Sequence, residues 1–246
     1  MTDLHTTSFQ LAVAPARRRL IMSLHGKVKQ GKTHFALTAP GPIAVQNLDM
    51  GLDGVVQKFQ GHKRIYVSNY EGIRSADLQS LDPAQVMKKM EETWIRFVDD
   101  YHWALKNCRT VVWDTASEVW ELARLTRLGK IGNIKPHHYA MVNMEFRELI
   151  REAEAGDTNF ILLHRVKKEY VNEQWSGAYE RAGFGDVGSW VHLIASAERQ
   201  DDGFHLCVEA CRQNPNLRGA DLPELLATFP QLAMLVFAGT SLEDWQ

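Results

Sequence analysis

Eight consecutive residues, Gly26-Lys27-Val28-Lys29-Gln30-Gly31-Lys32-Thr33, set two glycines, a lysine and a hydroxyl at the spacing G-x-x-x-x-G-K-[ST]. Each position has a chemical use. Backbone N–H groups between the glycines can close around phosphate oxygens, Lys32 can reach the β- and γ-phosphates, and the Thr33 hydroxyl can ligate Mg²⁺. A helix opening near His34 would aim the positive end of its dipole at the same anion. The pattern predicts a nucleoside triphosphate held by Gly26, Lys27, Val28, Lys29, Gln30, Gly31, Lys32, Thr33 and His34.

Such a loop needs a second carboxylate for Mg²⁺, at the end of a buried strand beside it. Val111-Val112-Trp113-Asp114 supplies one, and Thr115 and Ser117 can extend the hydrogen bonding. The expected metal pair is therefore Thr33 with Asp114, the alternative being that Asp114 caps the helix beginning near Ser117. Hydrolysis also needs a group that positions or deprotonates water. No acid directly follows Asp114. Asp49 is the candidate, because it ends the strand after the loop helix, and in a parallel sheet that end opens on the phosphate edge. Asp53 lies farther into the turn and fits a structural role. His164 ends a later strand and should face the same edge. There it either reports nucleotide state to residues 165–188 or is simply a satisfied polar residue.

The loop counts as a site only if a strand precedes it and a helix follows. Arg19 to Leu24 is a short, mostly apolar run of strand type, and His34 to Thr38 is helical until Pro40-Gly41-Pro42. Pro42 to Leu48 and Arg64 to Val67 are the next strands. Asp82-Pro83 starts a helix whose apolar stripe runs Val86, Met90, Trp94, Phe97, Val98, Tyr101 and Leu105. Cys108 to Asp114 is a strand, residues 117–128 a helix, Pro136 to about Ala155 another, and Asn159 to Leu163 a buried strand. This alternation predicts an α/β fold, a mostly parallel central sheet flanked by helices. Val191 to Ala197 and Phe204 to Ala210, joined by the turn 200–203, add a C-terminal antiparallel hairpin. Residues 223–238 form a closing helix. Residues 1–18 are expected to be a flexible arm, and residues 19–246 a single domain.

Apolar residues at 45% and charged residues at 24% are ordinary for a globular chain. The absence of an apolar run of about 18 residues argues against a membrane span, and the N-terminus lacks a signal-peptide pattern. Cys108, Cys207 and Cys211 are too few and odd in number for a disulfide framework, which points to the cytoplasm. Cys207 and Cys211, four apart, should share one strand face as small buried residues. Net charge is −2, yet no Asp or Glu falls between Leu4 and Leu48, where Arg17, Arg18, Arg19, Lys27, Lys29 and Lys32 all lie. A locally positive region suits a polyanion. Arg17 to Arg19 fit either a solvated arm or a nucleic-acid contact.

The order of loop, Leu48-Asp49-Met50-Gly51-Leu52-Asp53, Val111-Val112-Trp113-Asp114 and Leu162-Leu163-His164-Arg165 resembles the RecA-like P-loop ATPase core. It is most similar to phage nucleotide-binding recombination proteins that act as single-strand annealing ATPases, which also carry a lysine where Lys29 stands. The similarity covers about residues 19–215. It implies ATP and Mg²⁺, hydrolysis with Asp49 as catalytic carboxylate, and His164 as polar sensor. It equates residues 165–188 with mobile DNA-binding loops. Arg165, Lys167, Lys168 and Arg181 would meet phosphates, and Tyr170, Trp175 and Tyr179 would stack on bases. A plain β-hairpin is the alternative, since Glu169, Glu173 and Glu180 offset much of that charge. Arg212 resembles cations inserted into a neighbour's nucleotide site, which implies a homo-oligomer, ring or filament. The implied partners are single-stranded DNA and a single-strand DNA-binding protein, with no membrane; a phage-encoded chain would work in the host cytoplasm. The pattern departs from RecA in having Asp49 where a glutamate is usual. Two other readings stay open. One is a partition-type ATPase, for which Lys27 is placed correctly but Val28 and Lys29 replace the expected glycines. The other is a nucleotide-gated structural partner with negligible turnover.

Overall fold

The computed structural model describes residues 18–49, 51–71, 82–129 and 135–245, so residues 1–17 of the expected arm, Arg17 included, lie outside the described residues. The strands are β1 (Ile21–His25), β2 (Ile43–Asn47), β3 (Ile65–Asn69), β4 (Thr110–Asp114), β5 (Asn159–His164), β6 (Val166–Val171), β7 (Gln174–Arg181), β8 (Leu193–Gln200), β9 (Gly203–Cys211) and β10 (Asp221–Leu222). Eight of them form one sheet in the order β10-β9-β8-β1-β5-β4-β2-β3, while β6 and β7 pair separately. The six strands from β8 to β3 are parallel, and β9 and β10 add antiparallel. This is the expected fold class.

Side chains alternate across the sheet, and both faces are covered, as the almost wholly apolar strands require. Met22, Leu24, Val112, Ile161 and Leu163 pack with helix α1 (Lys32–Leu37) and the last helix. Ile21, Val111, Trp113, Phe160 and Leu162 pack against α2 (Pro83–Asn107), α3 (Ala116–Leu128) and α4 (Tyr139–Ala155). Helix α2 begins where Asp82 and Gln85 exchange side-chain and backbone hydrogen bonds, and its buried stripe is Val86, Met90, Trp94, Phe97, Tyr101 and Ala104. The closing helix, α5 (Phe229–Val236), is shorter than residues 223–238. The Pro223 carbonyl accepts from the N–H groups of Leu226 and Ala227 in a tight turn, and Pro230 then sets the helix start.

Cys207 and Cys211 do not share a face. Ile194 pairs with Ala210 but Ala195 pairs with Val208, so Glu209 is an extra residue that inverts the alternation. Cys211 joins the core while Cys207 is half-buried. Residues 166–181 fold as a hairpin whose two-residue turn, Asn172-Glu173, has φ of 51° and 63°, the left-handed pair that suits strand twist. Among the described residues no helix is long and apolar enough to cross a membrane.

Trp113 holds the larger face together. It is fully buried, with ring centroids 4.7 Å from Phe160, 5.3 Å from Phe97 and Phe146, and 5.4 Å from Tyr101. Its indole N–H donates to Gln46 Oε1 at 2.8 Å. Trp113→Ala is expected to cost about 3–5 kcal/mol of unfolding free energy, read from urea denaturation. A loss under about 1 kcal/mol would mean the cavity collapses around the missing ring.

Candidate functional site

The shared strand direction sends the ends of β1, β2, β4 and β5 to one edge of the sheet. His25 pairs with His164, Leu163 with Asp114, and Asp114 with Asn47. The loop after β1 is shaped by its neighbours as well as its glycines. A Cβ on Gly26 would lie 2.5 Å from the Ala197 carbonyl oxygen. Gly31, at φ 91°, would bring a Cβ within 2.9 Å of the Phe204 ring. Lys27, Val28 and Lys29 form the exposed tip, Gln30 is half-buried, and the His34 ring packs on Phe59 at 5.0 Å.

Lys32 Nζ donates to the carbonyls of Gly26 and Lys27, both at 2.8 Å, so its ammonium bridges its own loop. Burial lowers its pKa, and the charges of Asp114 and Asp49 oppose that shift. Thr33 Oγ1 donates to Asp114 Oδ2 at 2.7 Å. Asp114 is buried, which raises its pKa; the Thr33 hydrogen bond pulls it down, and the charge of Asp49 pushes it up. Asp114 does not cap the following helix. Thr115 does, its hydroxyl accepting from the Glu118 N–H at 3.3 Å, which leaves the Asp114 carboxylate turned toward Thr33.

Thr33 and Asp114 fit Mg²⁺: both present hard oxygens, and a divalent ion would relieve the penalty of burying Asp114 as an anion. Among the described residues no group of three or more His, Cys, Asp or Glu forms a metal cage.

Asp49 follows β2, its N–H and that of Leu48 donating to the Asp114 carbonyl at 3.1 and 2.7 Å. Its carboxylate faces Arg165, Oδ2 to Nη2 3.3 Å. The same guanidinium meets Glu118 Oε1 from Nη1 at 2.5 Å, and the Arg165 N–H donates to Ser117 Oγ at 3.1 Å. Arg165 therefore stands where β5 ends at this edge, at the root of the hairpin that carries Lys167, Lys168 and Arg181, its carbonyl accepting from the Ala182 N–H at 2.8 Å. Its signal was its place, one residue beyond a strand lying between β1 and β4. Asp53 is exposed in the turn after Asp49.

His164 is fully buried at that edge. Its Nδ1 lies 3.2 Å from the Ala182 carbonyl, so Nδ1 carries the proton, and Nε2 has no hydrogen-bond partner among the described residues. Arg181, half-buried beside it, donates to the Gly185 carbonyl at 2.8 Å, and burial lowers its pKa. Lys167 is paired with Glu180 at 3.1 Å. On the hairpin, Lys168 stands opposite Tyr179 and Tyr170 opposite Trp175. Lys168 Nζ lies 5.0 Å from the Trp175 ring centroid, and the Trp175 and Tyr179 centroids are 6.4 Å apart. Lys27 Nζ of the loop lies 4.6 Å over the Tyr179 ring. Arg212 is at the other edge, because β9 runs antiparallel; its guanidinium donates to the Ser189 carbonyl at 2.7 Å.

Residues 18–203 match the family described as AAA domain. The match spans well over half of the 246 residues, and the chain belongs to that family, whose domains are of P-loop NTPase type. No curated protein matches the sequence. Among solved structures, the KaiC-like protein PH0186 of Pyrococcus horikoshii is similar at 10% identity and a TM-score of 0.44, over 83% of this chain and 84% of that one.

Burial pushes the His164 pKa down from 6.5 to about 3, with the charges of Arg181 and His25 adding to the effect, and His192 is likewise pushed to about 4. The unfolded chain protonates these rings first as pH falls. Their contribution is complete above the unfolded value and is lost as pH drops toward the folded ones, by about 1.4 kcal/mol per pH unit per ring. His164→Gln should flatten the slope of unfolding free energy by about one proton between roughly pH 6 and 4, measured by urea titration. An unchanged slope would mean the ring is not desolvated.

Proposed function

We propose, starting from membership of the AAA domain family, that this protein is a Mg-dependent ATPase that couples ATP to single-stranded DNA binding, in phage-type recombination or annealing. Lys32 and the loop amides hold the phosphates, and Thr33 and Asp114 hold the metal. Bound Mg²⁺ would supply charge neutralisation at the phosphate oxygens. Asp49 orients water for attack, with a shorter arm than glutamate. His164 and Arg181 sit where the sheet edge meets the hairpin base, so a change at the phosphates has a short path to the hairpin. Arg212, on the far edge of its own sheet, acts in the site of a neighbouring copy, so the protein assembles as a homo-oligomer.

The observation that carries this reading is the contact between Lys27 and Tyr179. One residue belongs to the phosphate loop, and the other to a hairpin face bearing Lys168, Tyr170 and Trp175. Aromatic rings beside a cation suit single strands, whose bases stack without sequence preference at about 1–3 kcal/mol each. Glu169, Glu173 and Glu180 reduce the hairpin's charge, so stacking supplies more of the affinity than phosphate neutralisation.

Lys32→Ala is expected to abolish ATP binding in calorimetry with Mg²⁺ present, and retained affinity would move the phosphates elsewhere. In gel shifts, Trp175→Ala should weaken single-stranded DNA binding by about 1–3 kcal/mol while leaving ATP affinity unchanged. Single-stranded DNA should stimulate turnover in the unaltered protein. Stimulation by duplex alone would favour a partition-type ATPase, and no turnover would favour a nucleotide-gated structural partner.

A further inference from the structure

We infer that a cavity at the edge of the sheet opposite the phosphate loop binds an organic oxyanion, a flat apolar body carrying a carboxylate or a phosphate. This site is separate from the nucleotide site proposed above and does not depend on it. The cavity has a volume of about 670 Å³. Its wall carries three basic residues, His62, Lys63 and Arg64, and among the described residues no acidic one, while Pro42, Pro230 and Trp245 make its apolar side. Pro42 stands just before β2 and Arg64 just before β3, so the cavity lies where these strands begin. The phosphate edge is where β2 ends, roughly 15 Å away at about 3.3 Å per residue. A space of this size suits a small organic molecule and is far larger than a bare ion needs.

The three basic side chains are not equivalent. Lys63 Nζ donates to the carbonyls of Thr38, Ala39 and Leu37 at 2.6, 2.7 and 3.3 Å, so all of its protons are engaged at the end of α1. The Arg64 main chain is fixed by the Ile43 N–H, which donates to its carbonyl at 2.9 Å. The side chains of His62 and Arg64 are exposed and make no hydrogen bond or ion pair among the described residues. The Arg64 guanidinium is therefore the planar fork left to meet a carboxylate or phosphate, with the His62 imidazole two residues away. Trp245 supplies a second, independent requirement. It is fully buried with its ring stacked on Phe237 at 5.5 Å, and its indole N–H has no acceptor among the described residues. A buried donor left unpaired is costly, and a ligand oxygen at the inner wall would relieve it. Gly61, at φ 87°, would bring a Cβ within 4 Å of nothing, so that side of the cavity is open to entry. A cation would be repelled by this lining, and a neutral apolar molecule would leave the Arg64 fork unmatched.

The test is calorimetry with benzoate, phenyl phosphate and neutral benzyl alcohol, on the unaltered protein, Arg64→Ala, Arg64→Lys and Trp245→Phe. Benzoate or phenyl phosphate should bind one to one, and the tighter of the two identifies the preferred oxyanion. Benzyl alcohol, of similar shape but uncharged, should bind at least about tenfold more weakly. Arg64→Ala, at an exposed position, should weaken the anion about tenfold or more, the scale of a charged hydrogen bond, and Arg64→Lys should recover part of that loss. Trp245→Phe keeps a ring and removes the N–H, and should weaken the anion about fivefold. In nitrogen–proton spectra the Trp245 indole resonance, identified by its loss in that variant, should shift as the anion is added. An anion held at the phosphate loop would not respond to Arg64, so an affinity unchanged by Arg64→Ala overturns the assignment. So does failure of both anions to bind, equal binding of benzyl alcohol, or an indole resonance that does not move.

Discussion

The hydrogen bond from Thr33 to Asp114 joins residues 81 positions apart in sequence, and it forms only because β1 and β4 run in the same direction with β5 between them. Parallel strands end on a common edge, so whatever follows each strand meets there. The loop after β1, Asp49 after β2, Asp114 at the end of β4 and Arg165 after β5 are all products of that one geometric rule. Trp113 and the aromatic rings around it keep β4 in register on one face, while Leu24, Leu163 and the small helix α1 hold the other.

The convergence of charge at this edge works against itself without a ligand. Lys32 is partly desolvated and its pKa falls; Asp114 is desolvated and its pKa rises. Both shifts have the same origin, removal of a charge from water, and each side chain is part of the other's compensation. Arg165 serves Asp49 and Glu118 in the same way. The edge thus already holds both signs of charge, each group compensated by other members of the set.

The hairpin is a different kind of element. Two strands alone are marginal in water, and β6 and β7 bury little of their length. They are held at the root by the Ala182 N–H on the Arg165 carbonyl, and Tyr179 meets Lys27 of the phosphate loop. An element anchored mainly where it touches the phosphate edge is placed to respond to that edge.

The phosphate loop, the candidate metal pair and the alternation of strands and helices were legible in the amino-acid sequence, because they depend on local spacing: a glycine pattern, a strand-ending acid, apolar residues at the period of a helix or strand. The hairpin limits, the short α5 and the division of Cys207 from Cys211 were not. Each turns on an event without a strong local signal, such as the left-handed turn at Asn172-Glu173 or the extra residue at Glu209. The surroundings of Arg165 and Arg212 were beyond sequence for a deeper reason. A cation's partner is decided by which strands lie side by side and which way they run, and that order is set by packing across the whole sheet.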